Sequence, residues 1–566
     1  MVKNNQFDNL KELVKSSSAL YEDGLAFRKG ANLVGRDISY KQFEHDINCL
    51  GTAFLNFGLK DKFIAVISEN RYEWAMSYMA AANGTGVVVP IDCELSSVEI
   101  LNQLNRCEAS AVIYSEKVSE KVQAAVKSAK SIQYAVCMDR NVAGADYYLY
   151  DLLEKGSNLL DLGYDDFINA EIDNEKLSFL LFTSGTTGTV KGVMLSHKNI
   201  ASNIKSIMQM VRLYKDDRLL SILPLHHTYE CTCGFLTPIA CGSSISYCRG
   251  IRYIANDIAE VKPTILVVVP LIAEKTYSKI MGAVSEKKLT AKIGFKAIHT
   301  LSPVLKRVLG DDFIKKVFKP VHESLGGSLR IIITGASHID PKVVRGFINM
   351  GIMTIQGYGL TECAPLVIGN TERELRCASL GKPIPQVEVK IDSKNKNEPG
   401  EILVKGPNVM LGYYKDPEST DKTFTDGWFR TGDMALMKKN GFVYMTGRKK
   451  NIIVTKNGEN IYPEELESLL NQSGLIMESV VTSNHSRIKE ENSILAIIVP
   501  DIEKIKAFFK KDSVTDNEIN ELINDEVKKI NKQMPVYKKI KDIKIRLDEF
   551  QKTTTKKIQR HKITTD

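Results

Sequence analysis

Short apolar runs alternate along the first part of the chain with stretches whose apolar positions recur every three or four residues. Phe63-Ile64-Ala65-Val66-Ile67, Val87-Val88-Val89-Pro90, Ala111-Val112-Ile113-Tyr114 and Tyr134-Ala135-Val136-Cys137 read as buried strands. Ile38-Ser39-Tyr40 leads into a helix through Phe57, and another helix contains Trp74. This rhythm predicts repeated βα units of a mostly parallel sheet. Residues 177–182 form a further apolar run, Ser196 has the chemistry to open a helix over 197–212, and 219–223 reads as a strand. Between Lys262 and Gly327, a strand in Thr264-Ile265-Leu266-Val267-Val268-Val269 precedes lysine-rich helical segments to about Val321, whose pattern reads as a solvated helical face. Residues 329–333 give another short strand.

The pattern changes at residues 380–410, where Gly381, Pro383, Pro385 and Pro399-Gly400 punctuate short strands. A small antiparallel, barrel-like subdomain is expected there. After Gly447 come Ile452-Ile453-Val454, an Asn457-Gly458 hairpin signal, a helix opened by Pro463, strands at 480–481 and 494–499, and a helix over 516–534. The expected architecture is a large amino-terminal α/β region, 1–447, and a small α+β domain, 448–566.

A chain of 566 residues exceeds one core, and 43% apolar with 25% charged residues is ordinary for a globular protein. The formal charge of +8 suits anionic ligands, but the basic residues are not clustered with aromatics, so nucleic-acid binding is not expected. No signal or transit pattern opens the chain, and the longest apolar run, 265–273, contains Pro270 and is about half a membrane span. Ten scattered cysteines fit reduced thiols in a cytoplasmic protein. His226, His227, Cys231 and Cys233 are close in sequence, but no second pair stands at zinc-finger spacing, so structural zinc is not expected.

Candidate chemistry centres on Thr183-Ser184-Gly185-Thr186-Thr187-Gly188-Thr189-Val190-Lys191-Gly192. Read as a strand-to-helix loop, its glycines free the backbone N–H groups to converge, its hydroxyls add donors, and Lys191 adds charge, a combination suited to a polyphosphate. A P-loop is rejected because Lys191 is flanked by Val190 and Gly192 rather than by Gly and Ser/Thr. Further along, Thr334-Gly335-Ala336-Ser337 is a small-residue turn that admits a flat ring. Gly357-Tyr358-Gly359-Leu360-Thr361-Glu362 combines two glycines, an aromatic, a hydroxyl and a carboxylate, while lacking the third glycine of a dinucleotide fingerprint. Asp433, after a glycine turn, suits the two hydroxyls of a ribose, against the alternative of a turn or capping aspartate.

These motifs, in this order and over nearly the whole chain, resemble those of the adenylate-forming enzymes, and the 262–327 insertion resembles the long-chain fatty acyl-CoA synthetase branch. The resemblance implies that Thr183, Ser184, Gly185, Thr186, Thr187, Gly188 and Lys191 hold phosphates, and that Gly335, Ala336, Ser337, Gly357, Tyr358 and Gly359 lie along adenine. It further implies Thr361 at the α-phosphate, Glu362 on Mg²⁺, Asp433 and Arg448 at the nucleotide, His227 and Tyr229 shaping an acyl pocket, and Gly458 at the coenzyme A channel.

The closing stretch Phe550-Gln551-Lys552-Thr553-Thr554-Thr555-Lys556-Lys557-Ile558 is similar to a motif whose last lysine is catalytic, with Gln551 for Pro and Lys556 for Gly; spacing selects Lys557. Lys450 matches the position about which the carboxy-terminal lid turns. The implied reaction activates a fatty acid with ATP and Mg²⁺ to an acyl-adenylate, then transfers the acyl group to coenzyme A. Transfer to a carrier-protein pantetheine and a non-catalytic nucleotide-binding regulator stand as alternatives. Acyl-chain length, oligomeric state and peripheral membrane contact are left open.

Overall fold

The computed structural model describes residues 5–29, 37–184, 190–286, 289–395, 397–454, 459–484, 493–552 and 558–563. Contacts group the chain into two compact units. One comprises Met1–Cys377, Gly381–Glu388 and Lys405–Gly427; the other comprises Ala378–Leu380, Val389–Val404 and Trp428–Asp566.

The first unit is built on two sheets. In one, the strands run in the order Gly412–Tyr413, Val190–Ser196, Leu177–Ser184, Val87–Pro90, Phe63–Ile67, Ala111–Tyr114, Tyr134–Cys137 and Tyr147–Tyr148. From Leu177–Ser184 onward the pairing is parallel. The uninterrupted apolar runs follow from this, since every residue of Val87–Pro90 and Ala111–Tyr114 is buried. The other sheet runs from Lys382–Pro383 through Leu366–Gly369, Met353–Gly359, Ile331–Thr334, Ile265–Val268, Arg218–Ser221 and Ser244–Tyr247 to Leu25–Phe27 and Ile38–Ser39. Ile38–Ser39 therefore stands outside the parallel run it was expected to begin, and pairs antiparallel with Leu25–Phe27 at the edge of this second sheet.

The Thr/Gly stretch corrects the strand-to-helix expectation. Val190–Ser196 is itself a strand, paired antiparallel with Leu177–Ser184 so that Thr183 faces Lys191 and Ser184 faces Val190. The helix His197–Met210 starts only afterwards, where the Ser196 hydroxyl accepts from the Asn199 amide and the Asn199 side chain accepts from the Ser196 amide. Val193, Leu195 and Ser196 are buried, and that burial makes a strand of a segment whose Lys191 and Gly192 disguised it.

The lysine-rich insertion is helical over Pro270–Ser285, Leu289–Leu309, Asp311–Val317 and Lys319–Ser324. Its outward surface is not the polar face that the lysine pattern suggested, because Ile293, Leu301, Val304 and Val308 point to solvent.

In the second unit the barrel-like element is a branched antiparallel sheet, in which Trp428–Met437 pairs with both Gly400–Lys405 and Val443–Arg448. Ile453–Val454 and Asn460–Ile461 pair antiparallel, as the hairpin signal required. Ile476–Asn484, Ser493–Pro500 and Asp542–Ile545 form a three-stranded sheet covered by Pro463–Asn471 and Asp516–Asn531 around Leu466, Leu470, Ile498 and Ile523.

Candidate active site

In the first unit, two strands far apart in sequence bring three side chains together. Gly412–Tyr413 pairs antiparallel with Val190–Ser196, with Tyr413 opposite Val193. This places the Lys191 ammonium 4.5 Å from the centre of the Tyr413 ring, within cation–π range. The Tyr413 hydroxyl donates to Glu362 Oε1 at 3.0 Å. Burial, and then the Glu362 carboxylate, push the Tyr413 phenol above its usual range and keep it a donor. Glu362 lies in the short turn Thr361–Cys363 that follows Met353–Gly359, and its carbonyl accepts from the Met410 amide at 2.8 Å. The Thr361 hydroxyl lies 3.5 Å from that of buried Thr228.

The adenine-assigned segments are neighbours. Tyr358 is buried within Met353–Gly359, whose parallel partner Ile331–Thr334 leads into Gly335-Ala336-Ser337. A Cβ on Gly335 would come within 3.3 Å of the Gly357 carbonyl and of the Tyr229 ring. At Gly359 a Cβ would lie 2.0 Å from the Pro365 carbonyl oxygen. That glycine thus permits a close approach of the chain to itself, not only to a ligand. Ala336 adopts φ 72°, a left-handed conformation uncommon for a residue with a side chain.

His227 and Tyr229 open the helical segment after Pro224. His227 Nδ1 accepts from the Tyr229 amide at 3.3 Å, and the Tyr229 hydroxyl donates to the Ile333 carbonyl at 3.1 Å. Asn70 fixes this segment, donating to Leu223 O at 2.6 Å and accepting from Leu225 N at 2.9 Å. His226 faces Asp92 at 3.6 Å, with burial lowering its basicity. Cys231 and Cys233 are buried, and burial pushes the Cys231 thiol up to about 12. Glu230, fully buried, accepts from the Ser221 hydroxyl at 2.7 Å, and burial raises its carboxyl to about 8. An apolar pocket lies in the same unit, lined by residues that include Ile222, Leu266, Val268, Ile272, Thr276 and Phe347.

In the second unit, antiparallel register sets Asp433 opposite Arg448, and Arg448 Nε lies 3.0 Å from Asp433 Oδ1. Glu401, in Gly400–Lys405, orders the approach to them. It takes the Gly432 amide at 3.1 Å and Lys449 Nζ at 2.9 Å, and it pairs with Arg430. Burial opposes its ionisation, but the hydrogen bonds from Lys449 and Arg430 prevail and hold it below the usual carboxylate range. Lys450 lies in the short turn Lys449–Asn451. Both ends of the closing stretch are anchored. Phe550 is buried, Lys552 bridges Ile558 and pairs with Glu478, and Arg560 pairs with Glu467.

Gly185, Thr186, Thr187, Gly188, Gly458 and Lys557 lie outside the described residues, as does the side chain of Ser184. Two residues with direct bearing on the site went unread in the sequence. They are Tyr413, whose hydroxyl donates to Glu362, and Glu401, which accepts from the Gly432 amide; in each case the signal is a partner distant in sequence.

The family model described as AMP-binding enzyme matches residues 18–414, and that described as AMP-binding enzyme C-terminal domain matches 450–566. The chain belongs to the AMP-binding enzyme family. It is 30% identical to "Long-chain-fatty-acid--CoA ligase 5" of Rattus norvegicus over 534 residues, covering 89% of this chain and 77% of the relative. It is 29% identical to "Long-chain-fatty-acid--CoA ligase 1" of Homo sapiens, covering 84% and 71%. The fold is similar to that of the anthranilate CoA ligase AuaEII in complex with anthranoyl-AMP, with a TM-score of 0.76 at 19% identity over 98% of this chain and 96% of that one. Among the described residues, no helix is long and apolar enough to cross a membrane.

Proposed function

We propose that this chain is an AMP-forming acid–thiol ligase that activates long-chain fatty acids with ATP and transfers the acyl group to coenzyme A. The observation that carries the reading is the convergence of Lys191, Tyr413 and Glu362 beside Thr361, in a chain whose relatives bear the names of long-chain-fatty-acid ligases. A carboxylate oxygen attacks the α-phosphorus of ATP, and the bond to the bridging oxygen breaks to release pyrophosphate. Lys191 and the Thr183-to-Gly188 stretch bind the departing phosphates, and Lys557 offsets charge on the α-phosphate. The thiol of coenzyme A then attacks the acyl carbonyl, AMP leaves, and the thiol proton is lost to solvent. Gly335, Ala336, Ser337, Gly357, Tyr358 and Gly359 would hold adenine, Asp433 and Arg448 the ribose and phosphate side of the nucleotide, His227 and Tyr229 the acyl end near the carboxylate, and Gly458 the coenzyme A channel.

Mg²⁺ fits this donor set. Among the described residues there is no cluster of three or more protein ligands, but the half-buried Glu362 carboxylate beside Thr361 offers hard oxygens of the kind that share Mg²⁺ with substrate phosphates. Bound there, the ion would neutralise phosphate charge. Glu362 would hold it, and Tyr413 would fix the carboxylate. We place the division of the chain at 447/448, supported by the gap between the two matched family models, with Lys450 as the turning point. Ten free cysteines support a reducing, cytoplasmic setting.

An acid panel with ATP and coenzyme A, scored for AMP and pyrophosphate, tests the proposal. Palmitate should outperform acetate and amino acids; either of those exceeding palmitate would defeat the long-chain assignment.

A further inference from the structure

The segment that carries His227 and Tyr229 is irregular, and a side-chain amide from the other sheet of the same unit shapes it. Residues 222–227 run from the carboxyl end of the strand Arg218–Ser221, in the second sheet, to the helical turn Thr228–Glu230. Asn70 comes from the first sheet, just beyond the carboxyl end of Phe63–Ile67. Its Nδ2 donates to the Leu223 carbonyl at 2.6 Å and to the Ser221 hydroxyl at 3.1 Å, while its Oδ1 accepts from the Leu225 amide at 2.9 Å. Two donors and an acceptor of one amide are thereby used, a set that neither a hydroxyl nor a carboxylate offers. The Ser221 hydroxyl in turn donates to buried Glu230 at 2.7 Å, which joins strand end, loop and helix start.

Asn70 is itself held from both sides. Glu69 accepts from the Ser115 hydroxyl at 2.7 Å, and Arg71 makes two bonds of 2.8 Å to Asp139 and one of 2.7 Å to Glu73. Ser115 and Asp139 follow the neighbouring strands Ala111–Tyr114 and Tyr134–Cys137, so the first sheet fixes the backbone from which the amide reaches across. That sheet also contains Leu177–Ser184 and Val190–Ser196, with Thr183 opposite Lys191. Asn70 thus ties the His227–Tyr229 segment to the frame that carries the phosphate segment. In the proposed reaction the attacking carboxylate and the phosphates are held from different sheets, and the distance between them decides the rate.

We propose that Asn70 is a positioning residue for adenylation: through Leu223 and Leu225 it sets His227 and Tyr229, and with them the fatty-acid carboxylate, against the phosphates bound from the first sheet. The inference rests on the ligase reading of the site. It requires an asymmetry between the half-reactions. Before adenylation the reactants are separate molecules whose relative placement the protein must supply; afterwards the acyl group and the nucleotide are joined by a covalent bond that supplies it.

Asn70→Ala should lower kcat for adenylation, read by pyrophosphate exchange, by on the order of 10²-fold, the scale for a misplacement of about 1 Å. KM for ATP should change little, and thioester formation from preformed acyl-adenylate and coenzyme A should stay near the wild-type rate. Asn70→Asp has the same shape, keeps the acceptor for Leu225 and loses both donors, so it should show the same asymmetry without leaving a cavity. Equal falls in both half-reactions, accompanied by a lowered Tm, would overturn the proposal and make Asn70 part of the general packing. Tyr229→Ala tests the acyl assignment separately. A raised KM for palmitate in that variant, together with wild-type adenylation in Asn70→Ala and Asn70→Asp, would defeat the positioning role and leave the acyl assignment standing. An unchanged KM for palmitate in Tyr229→Ala would remove the acyl assignment and the positioning role with it.

Discussion

The Tyr413 hydroxyl holds Glu362 Oε1 at 3.0 Å across a sequence separation of 51 residues. The same ring presents its face to Lys191 at 4.5 Å. One tyrosine thus orients the carboxylate proposed for Mg²⁺ and the ammonium proposed for phosphate, by different parts of its side chain.

Tyr413→Phe separates the two duties, because it removes the hydroxyl and keeps the ring. A hydrogen bond to a charged group contributes about 1.5–3 kcal/mol. With Glu362 no longer aimed, half-maximal pyrophosphate exchange should need on the order of 10-fold more Mg²⁺, with the affinity for ATP at saturating Mg²⁺ little changed. Tyr413→Leu should in addition weaken ATP binding, since Lys191 loses its aromatic support. Identical Mg²⁺ titrations for wild type and Tyr413→Phe would remove the positioning role.

What the sequence made legible, and what it did not, follows from the range of each interaction. The parallel strands from Phe63–Ile67 to Tyr134–Cys137 were readable because burial on both faces writes itself as an unbroken apolar run. The hairpin flanking Asn457-Gly458 was readable because turn chemistry is local. Val190–Ser196 was not, since a strand carrying Lys191 and Gly192 next to a strong helix cap looks like the tail of a loop. The motif residues Thr361, Glu362 and Asp433 were visible as chemistry. Their supports, Tyr413 and Glu401, were hidden because each acts across a strand pairing or turn that no spacing records. The exposed apolar side chains of Leu289–Leu309 were masked by its lysines, which gave that segment the composition of a solvated helix.

Glu230 supplies a prediction about pH. Its carboxyl is fully buried and raised from 4.5 to about 8, so the folded protein keeps a proton there that the unfolded chain gives up. The stabilising contribution is complete below pH 4.5 and is lost progressively as pH rises to about 8. Glu230→Gln, neutral at every pH, should therefore be more stable than wild type at pH 7 by up to about 3 kcal/mol. It should also flatten the decline of Tm across that window. A Glu230→Gln protein whose Tm follows pH as steeply as the wild type would show that Glu230 is ionised in the folded state.

The closing stretch yields a prediction of register. Lys552 and Ile558 are bridged, and the Gln559 amide donates to the Gln551 carbonyl at 2.8 Å, so the ends of the stretch are fixed. Lys557→Ala should lower acyl-adenylate formation by about 10²-fold or more, the scale for losing a positioned transition-state donor. Lys556→Ala should do much less. Interchangeable losses would mean that Lys557 has been assigned in the wrong register.

The last prediction concerns Lys450, within the turn Lys449–Asn451 that follows Val443–Arg448. On either side of it the chain is tied. Lys449 reaches Glu401 at 2.9 Å, and the Asn451 side chain donates to Glu464. A turn held at both flanks leaves the backbone torsions of the central residue as the natural place for rotation. In the proposed reaction one site cannot hold Lys557 against the α-phosphate and also admit the coenzyme A thiol to the same carbonyl, so the residues beyond the turn must reorient between half-reactions. Proline at 450 fixes φ near about −65° and disfavours a helical conformation at Lys449. Lys450→Pro should accordingly preserve one half-reaction, adenylation, and suppress the other. Pyrophosphate exchange measures the first, and thioester formation from preformed acyl-adenylate measures the second. If Lys450 is instead an ordinary exposed lysine, both activities should fall slightly and together, and equal retention of the two would end its assignment as the turning point.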